Sequence, residues 1–188
     1  MKWLGLICSA ALITPALTSA ADLGQKLDAR VRTSEGKLTR LSAYFGKPVL
    51  LFYEDPDSVR VNQAWKDELA ARAAKLNLAG KLEVVAVCNL EKLNWQPALF
   101  FALLAVRSEE HKAKVPVLVD LSGELGKAPW SLSAKASSVV LLSPSGEVLF
   151  QSMGLMSHDT FDELLVQLSR VLLPTAQAAP AATEAHHG

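Results

Sequence analysis

The sequence predicts an α/β fold: a central mixed β-sheet flanked by helices, with an N-terminal β-hairpin. Three stretches carry that expectation. Val49–Tyr53 is a short apolar run of the kind that forms a fully buried strand, and a polar turn, Glu54–Ser58, follows it. A helical pattern then runs to Ala79-Gly80 and leads into a second apolar strand, Leu82–Cys88, which completes a βαβ unit. Near the other end, Ser138–Leu142 and Val148–Ser152 flank Ser143-Pro144-Ser145-Gly146, the signature of a β-hairpin.

The remaining elements follow in chain order. Ala29–Arg32 and Lys37–Arg40 alternate in polarity around Ser34-Glu35-Gly36 and give the N-terminal hairpin. Leu41–Phe45 is one helical turn ending at Gly46. The first long helix is expected to begin near Asp57 or Ser58, both good N-caps, and to end at a Gly80 C-cap. Val61, Trp65, Leu69, Ala73 and Leu76 form its apolar stripe. Pro97 opens a second helix, Ala98–Val106, apolar almost all round. It is either a core helix or one that leaves part of Leu99, Phe100, Phe101, Leu103 and Leu104 exposed to a partner. Arg107–Lys114 reads as a charged exit, Val115–Asp120 as a strand and Gly123–Ala128 as a short helix or turn. Asp159–Leu172 is a final amphipathic helix with Phe161, Leu164, Leu165, Leu168 and Leu172 inward. One parallel crossover plus the C-terminal hairpin gives a mixed sheet with helices on both faces.

The ends read differently. Met1-Lys2, the apolar Trp3–Leu17 and the small residues Thr18–Ala21 make residues 1–21 a cleavable signal peptide, too short to span a bilayer comfortably. Residues 22–173 form the domain. From Pro174 to Gly188 the chain is an Ala/Pro-rich tail expected to be disordered. The expected location is periplasmic or secreted, with no stable membrane span after cleavage.

Composition excludes whole classes of function. Lys+Arg and Asp+Glu are both 19 and aromatics make up 6% of 188 residues, so nothing steers the chain to nucleic acid. Of the 2 cysteines, Cys8 falls in the signal peptide. The mature chain therefore has only Cys88 and can form no internal disulfide. No phosphate-cradling glycine loop and no nucleophile elbow is present.

Gly46–Tyr53, Val115–Asp120 with Gly123–Ala128, and a C-terminal half containing Trp130-Ser131-Leu132, Ser137–Leu142, Gly146 and Gly154-Leu155 together resemble the thioredoxin-like superfamily. Within its redoxin and TlpA-type branch, the closest likeness is to YtfJ-like periplasmic proteins, over about residues 28–172. The resemblance implies a thioredoxin-like fold and places its redox site at the turn after Val49–Tyr53. There, a helix N-terminus would stabilise a thiolate. This chain departs from that pattern. Asp55-Pro56-Asp57-Ser58 stands where the Cys-x-x-Cys would be. Val61 takes a peroxidatic cysteine's place, and Ser137-Ser138 stands where the superfamily has a cis-proline. Without a nucleophile, dithiol exchange and peroxide reduction at this site are excluded chemically.

Each remaining candidate has a plain structural reading beside it. Cys88 is either a core residue or a reactive thiol at the sheet's C-terminal edge, which would make the chain a one-cysteine oxidoreductase working with an external reductant. Glu54, Asp55 and Asp57 could attract a cation, but helix capping accounts for Asp57 and Ser58. His186-His187 are too few for a defined metal site. The function expected is therefore a binding or adaptor module of the cell envelope, a fold that has lost its thiol chemistry. Glu54–Ser58, Ser137, Ser138, Trp95 and Trp130 would form a groove for a protein or peptide, with no cofactor and no metal. A purely structural envelope component is the third reading.

Overall fold

A computed structural model describes residues 22–78, 80–93 and 96–172. The expected signal peptide (1–21), Trp95 and the expected tail (174–188) lie outside the described residues. Ten elements follow in order: β1 (Arg30–Thr33), β2 (Leu38–Arg40), β3 (Val49–Glu54), α1 (Gln63–Lys75), β4 (Glu83–Asn89), α2 (Gln96–Ala113), β5 (Val117–Asp120), β6 (Ser138–Leu142), β7 (Val148–Met153) and α3 (His158–Leu172). The strands make one sheet in the order β2-β1-β5-β4-β3-β6-β7. Strands β3, β4 and β5 run parallel, and β6, β7, β1 and β2 join antiparallel. Because Val117–Asp120 pairs with β4, the sheet has a second parallel crossover, β4-α2-β5, beyond the one expected.

Strand β3 lies inside the sheet between β4 and β6, and all of its residues are buried. Its alternating side chains sort the core into two layers. Leu51 and Tyr53 join Val85, Val87 and Leu118 on one face, and Leu50 and Phe52 meet Leu69 of α1 and Phe161, Leu164 and Leu168 of α3 on the other. Phe52 pairs with Ala86 and Cys88 with Val119, so Ala86, Cys88 and Val119 share this second face. They pack there beneath Leu99, Leu103 and Val106 of α2. All three α-helices thus lie on one face. The opposite face is covered by Leu27, Ala29, Leu132, Ala134 and two 3-10 turns, Leu41–Tyr44 and Glu124–Gly126, rather than by an α-helix.

Helix limits differ from expectation for identifiable reasons. Helix α1 starts at Gln63, not near Asp57, because the Asp55 carboxylate accepts the N–H groups of Asp57 (3.1 Å) and Ser58 (2.9 Å). That Asx turn diverts the chain before the helix can begin. At its other end the helix is closed at Asn77 (φ +50), three residues before the likewise positive-φ Gly80, and Leu78 N–H donates to Ala73 O at 3.0 Å. This is a Schellman motif closed by asparagine. Helix α2 runs on through the charged segment to Ala113. Glu110 anchors its last turn by accepting the Ser34 hydroxyl and the Val117 N–H (3.2 Å). The apolar part of the helix is divided between core and surface. Leu99, Leu103 and Val106 pack inward, while Phe100 and Phe101 remain 59% and 68% exposed. Helix α3 forms as predicted, its first turn capped by the Ser157 hydroxyl accepting Thr160 N–H at 3.1 Å.

Candidate functional site

The antiparallel register that pairs Tyr53 with Ser138 places Ser137 beside Glu54, at the end of β3. Glu54 is only 5% exposed, and both carboxylate oxygens are occupied. One accepts the Ser137 hydroxyl at 2.6 Å, and the other accepts the Lys66 ammonium at 2.7 Å. Lys66 comes from the first turn of α1, also donates to Val59 O at 2.9 Å, and rests over the Phe52 ring at 5.1 Å. Asn62, fully buried just before α1, completes the cluster. Its amide donates to Ser137 Oγ (3.1 Å) and Gly154 O (2.9 Å), and its oxygen accepts Met156 N–H (3.0 Å). Ser137 itself holds a left-handed backbone (φ +58). Burying a carboxylate is costly unless it is paired and hydrogen-bonded, and here every lone pair in use has a protein donor.

A second network adjoins it. Asp120, 1% exposed, accepts Tyr53 OH (3.1 Å) and Leu125 N–H (3.0 Å) through one oxygen and Glu124 N–H (3.0 Å) through the other. The Asn89 amide donates to the same phenol oxygen at 2.6 Å. Burial and the neighbouring Asp120 push the Tyr53 phenol well above its usual range. Cys88 lies one strand away from Glu54, directly paired with it, and is half-buried. Burial first, then the charges of Asp55 and Glu54, push its thiol up to about 11. A thiol of that pKa is almost wholly protonated at neutral pH and is a poor nucleophile.

The sequence-predicted groove residues are distributed unevenly. Glu54, Ser58, Ser137 and Ser138 come together, but they are buried and turned toward protein partners. Ser58 Oγ accepts Asp55 N–H at 3.0 Å and donates to Ala134 O. Ser138 Oγ both accepts from and donates to the Ser133 backbone, at 2.9 and 3.0 Å. Pro56 and Asp57 are exposed, and Asp55 is half-buried as the cap of the turn. Neither Asp57 nor Ser58 caps α1, which starts after Asn62; Asp55 instead caps a separate turn eight residues before Gln63. Trp130 packs on the opposite sheet face with its indole N–H on Lys26 O (3.2 Å), and Trp95 lies outside the described residues. Asn62, Lys66, Asn89 and Asp120, absent from the predicted set, are the residues that close the two networks. Of these, only the polar Asn62 and Lys66 at the start of a helix pattern offered any local signal.

Chemically, the junction holds charge without offering it. The Ser137 hydroxyl donates to a carboxylate, a pairing that could activate a nucleophile, but Ser137 and Asn62 have no exposed surface. No incoming carbonyl or disulfide could approach within bonding distance of that hydroxyl.

The fold that carries this site is thioredoxin-like. No family model matches the chain, and no curated protein sequence matches it. Similar solved structures include a protein assigned as the thiol:disulfide interchange protein DsbE from Chlorobium tepidum, at 22% identity and TM-score 0.57 over 82% of this chain and 100% of that one. The thiol peroxidase of Chromobacterium violaceum aligns at 11% identity and TM-score 0.56, covering 80% and 88%. The exposed lipoprotein thioredoxin of Streptococcus pneumoniae aligns at 23% identity and TM-score 0.51, covering 75% and 99%. Likeness at these identities establishes the fold and nothing about activity. Among the described residues, no helix is long and apolar enough to cross a membrane.

Proposed function

We propose that this chain is an exported, YtfJ-like binding module. On this reading a thioredoxin-like scaffold holds a protein or peptide segment in the cell envelope and carries out no thiol exchange at the strand–helix junction. One observation carries the reading: beside the turn where the resemblance puts a nucleophile, Glu54, Lys66, Ser137 and Asn62 form a buried, closed set of hydrogen bonds. The upward-shifted thiol of Cys88 supports it further, since a one-cysteine oxidoreductase needs a thiolate at working pH. The Asp55–Asp57 turn is the exposed rim left at this edge for contact with a partner.

The test compares the mature chain with its Cys88→Ala variant in reduction of insulin disulfides by dithiothreitol and in peroxide consumption. Equal rates, at the uncatalysed level, are expected. Turnover that depends on Cys88 would overturn the reading and install the one-cysteine enzyme in its place.

A further inference from the structure

We propose that the cleft between the β1–β2 hairpin and α2 docks an acidic, amphipathic segment of a partner protein. The proposal rests on the binding reading above and adds the surface and the chemistry of what is bound. Phe100, Leu104, Arg107 and His111 recur at 4-3-4 spacing and so form one stripe along α2, and Lys114, left-handed at φ +55, follows directly after the helix end. The stripe is apolar in its first half, where Phe100 is 59% and Leu104 45% exposed, and basic in its second. Across from the basic half lies the hairpin turn, with a cavity of about 360 Å³ between Arg107, His111 and Lys114 on one side and Ser34 and Glu35 on the other. A second hollow of about 300 Å³ runs along β1, lined by Arg30, Arg32, Leu38 and Leu121. Arg32 pairs with Val119, whose side chain lies beneath α2, and with the 65%-exposed Leu38, so both hollows open on the helix-bearing face.

Charge decides the occupant. The whole chain is balanced at 19 cations and 19 anions, yet each carboxylate of the cleft is already engaged. Glu35 pairs with Lys37 (3.0 Å), Glu124 with Arg30 (3.5 Å), and Glu110 turns inward to Ser34 and Val117. Arg32, Arg107 and Lys114 have no ion-pair partner among the described residues. A lining with surplus cations and exposed apolar side chains is complementary to a segment that alternates acidic and apolar residues. Hollows of this size accept the side chains of a peptide better than a flat lipid surface.

The test uses the mature chain and a labelled twelve-residue peptide alternating glutamate and leucine, followed by fluorescence anisotropy. A matching peptide with lysine for glutamate is the control. Binding of the acidic peptide should fall by about tenfold or more in Arg107→Glu/Lys114→Glu, and the lysine peptide should gain affinity for that variant. Both positions are exposed, and circular dichroism checks that the fold is kept. Unchanged affinity, or equal binding of the two peptides by the parent chain, would overturn the proposal. So would charge reversal that abolishes sedimentation with anionic phosphatidylglycerol vesicles but not peptide binding, or that abolishes a dimer seen by ultracentrifugation. Photocrosslinkers placed at Leu38 and Asp57 separate the two levels of inference. An envelope partner captured from Asp57 alone would refute this cleft and leave the binding reading standing, and none from either position would refute both.

Discussion

Replacing Lys66 by methionine should destabilise the domain by about 3 kcal/mol, because it strands a buried carboxylate. The Glu54 side chain is 7% exposed and that of Lys66 20%. Removing one partner of a buried pair costs about 3–5 kcal/mol when the other charge cannot escape. Two features set the value at the low end. Ser137 continues to donate to Glu54, and the partial exposure of Lys66 lets water approach the vacated position. Methionine keeps the apolar stem over Phe52, so the change reports the charge rather than lost packing. Urea unfolding at neutral pH, followed by tryptophan fluorescence, gives the difference directly, and a melting point lower by about 6–12 °C should accompany it. Adding Glu54→Gln should recover part of the loss, since no charge then remains to be desolvated. A loss below about 1 kcal/mol for Lys66→Met would refute the argument, showing that Glu54 is solvated well enough to need no partner.

Other perturbations separate the buried network from its exposed neighbours. Asn62→Ala removes three hydrogen bonds from a fully buried position and should cost about 2–4 kcal/mol in the same assay. Asp57→Ala, one turn earlier and exposed, should change stability by less than about 0.5 kcal/mol. Asp120→Asn turns an amide toward the donors Glu124 N–H or Tyr53 OH and should cost about 2–3 kcal/mol. Asn77→Ala, at φ +50, should lose about 1 kcal/mol, whereas Asn77→Gly should hold or gain stability.

Much of the fold was legible because its signals are local. The uniformly apolar Val49–Tyr53 could only be a buried strand, and the glycine turns at Gly36 and Gly146 marked both hairpins. The helix limits were harder to read. Asp57-Ser58 has the composition of an N-cap, yet the Asp55 side chain captures those same N–H groups and postpones the helix to Gln63. The charged run after Val106 reads as an exit from the helix, yet it stays helical to Ala113, with Glu110 tied to Ser34 in the hairpin turn 76 residues away. The same separation in sequence concealed the site. Asn62 meets Ser137 across 75 residues and Met156 across 94, contacts that no local pattern encodes. The empty nucleophile position could be read from the sequence, but the buried network beside it could not.

The measurement that bears most directly on the central claim is the alkylation rate of Cys88 against pH in the folded mature chain. Displacement of the thiol from 9.0 to about 11 lowers its thiolate fraction near pH 8 by about 100-fold. The sign for stability follows from the same displacement. A raised folded pKa contributes stability that is present below the unfolded value and is lost as pH rises through about 11. A rate that rises with a midpoint near 11, and is accelerated by denaturant at pH 8, is the predicted result. A midpoint below the ordinary thiol range, with fast labelling of the folded chain, would contradict the account and return Cys88 to the centre of the protein's chemistry.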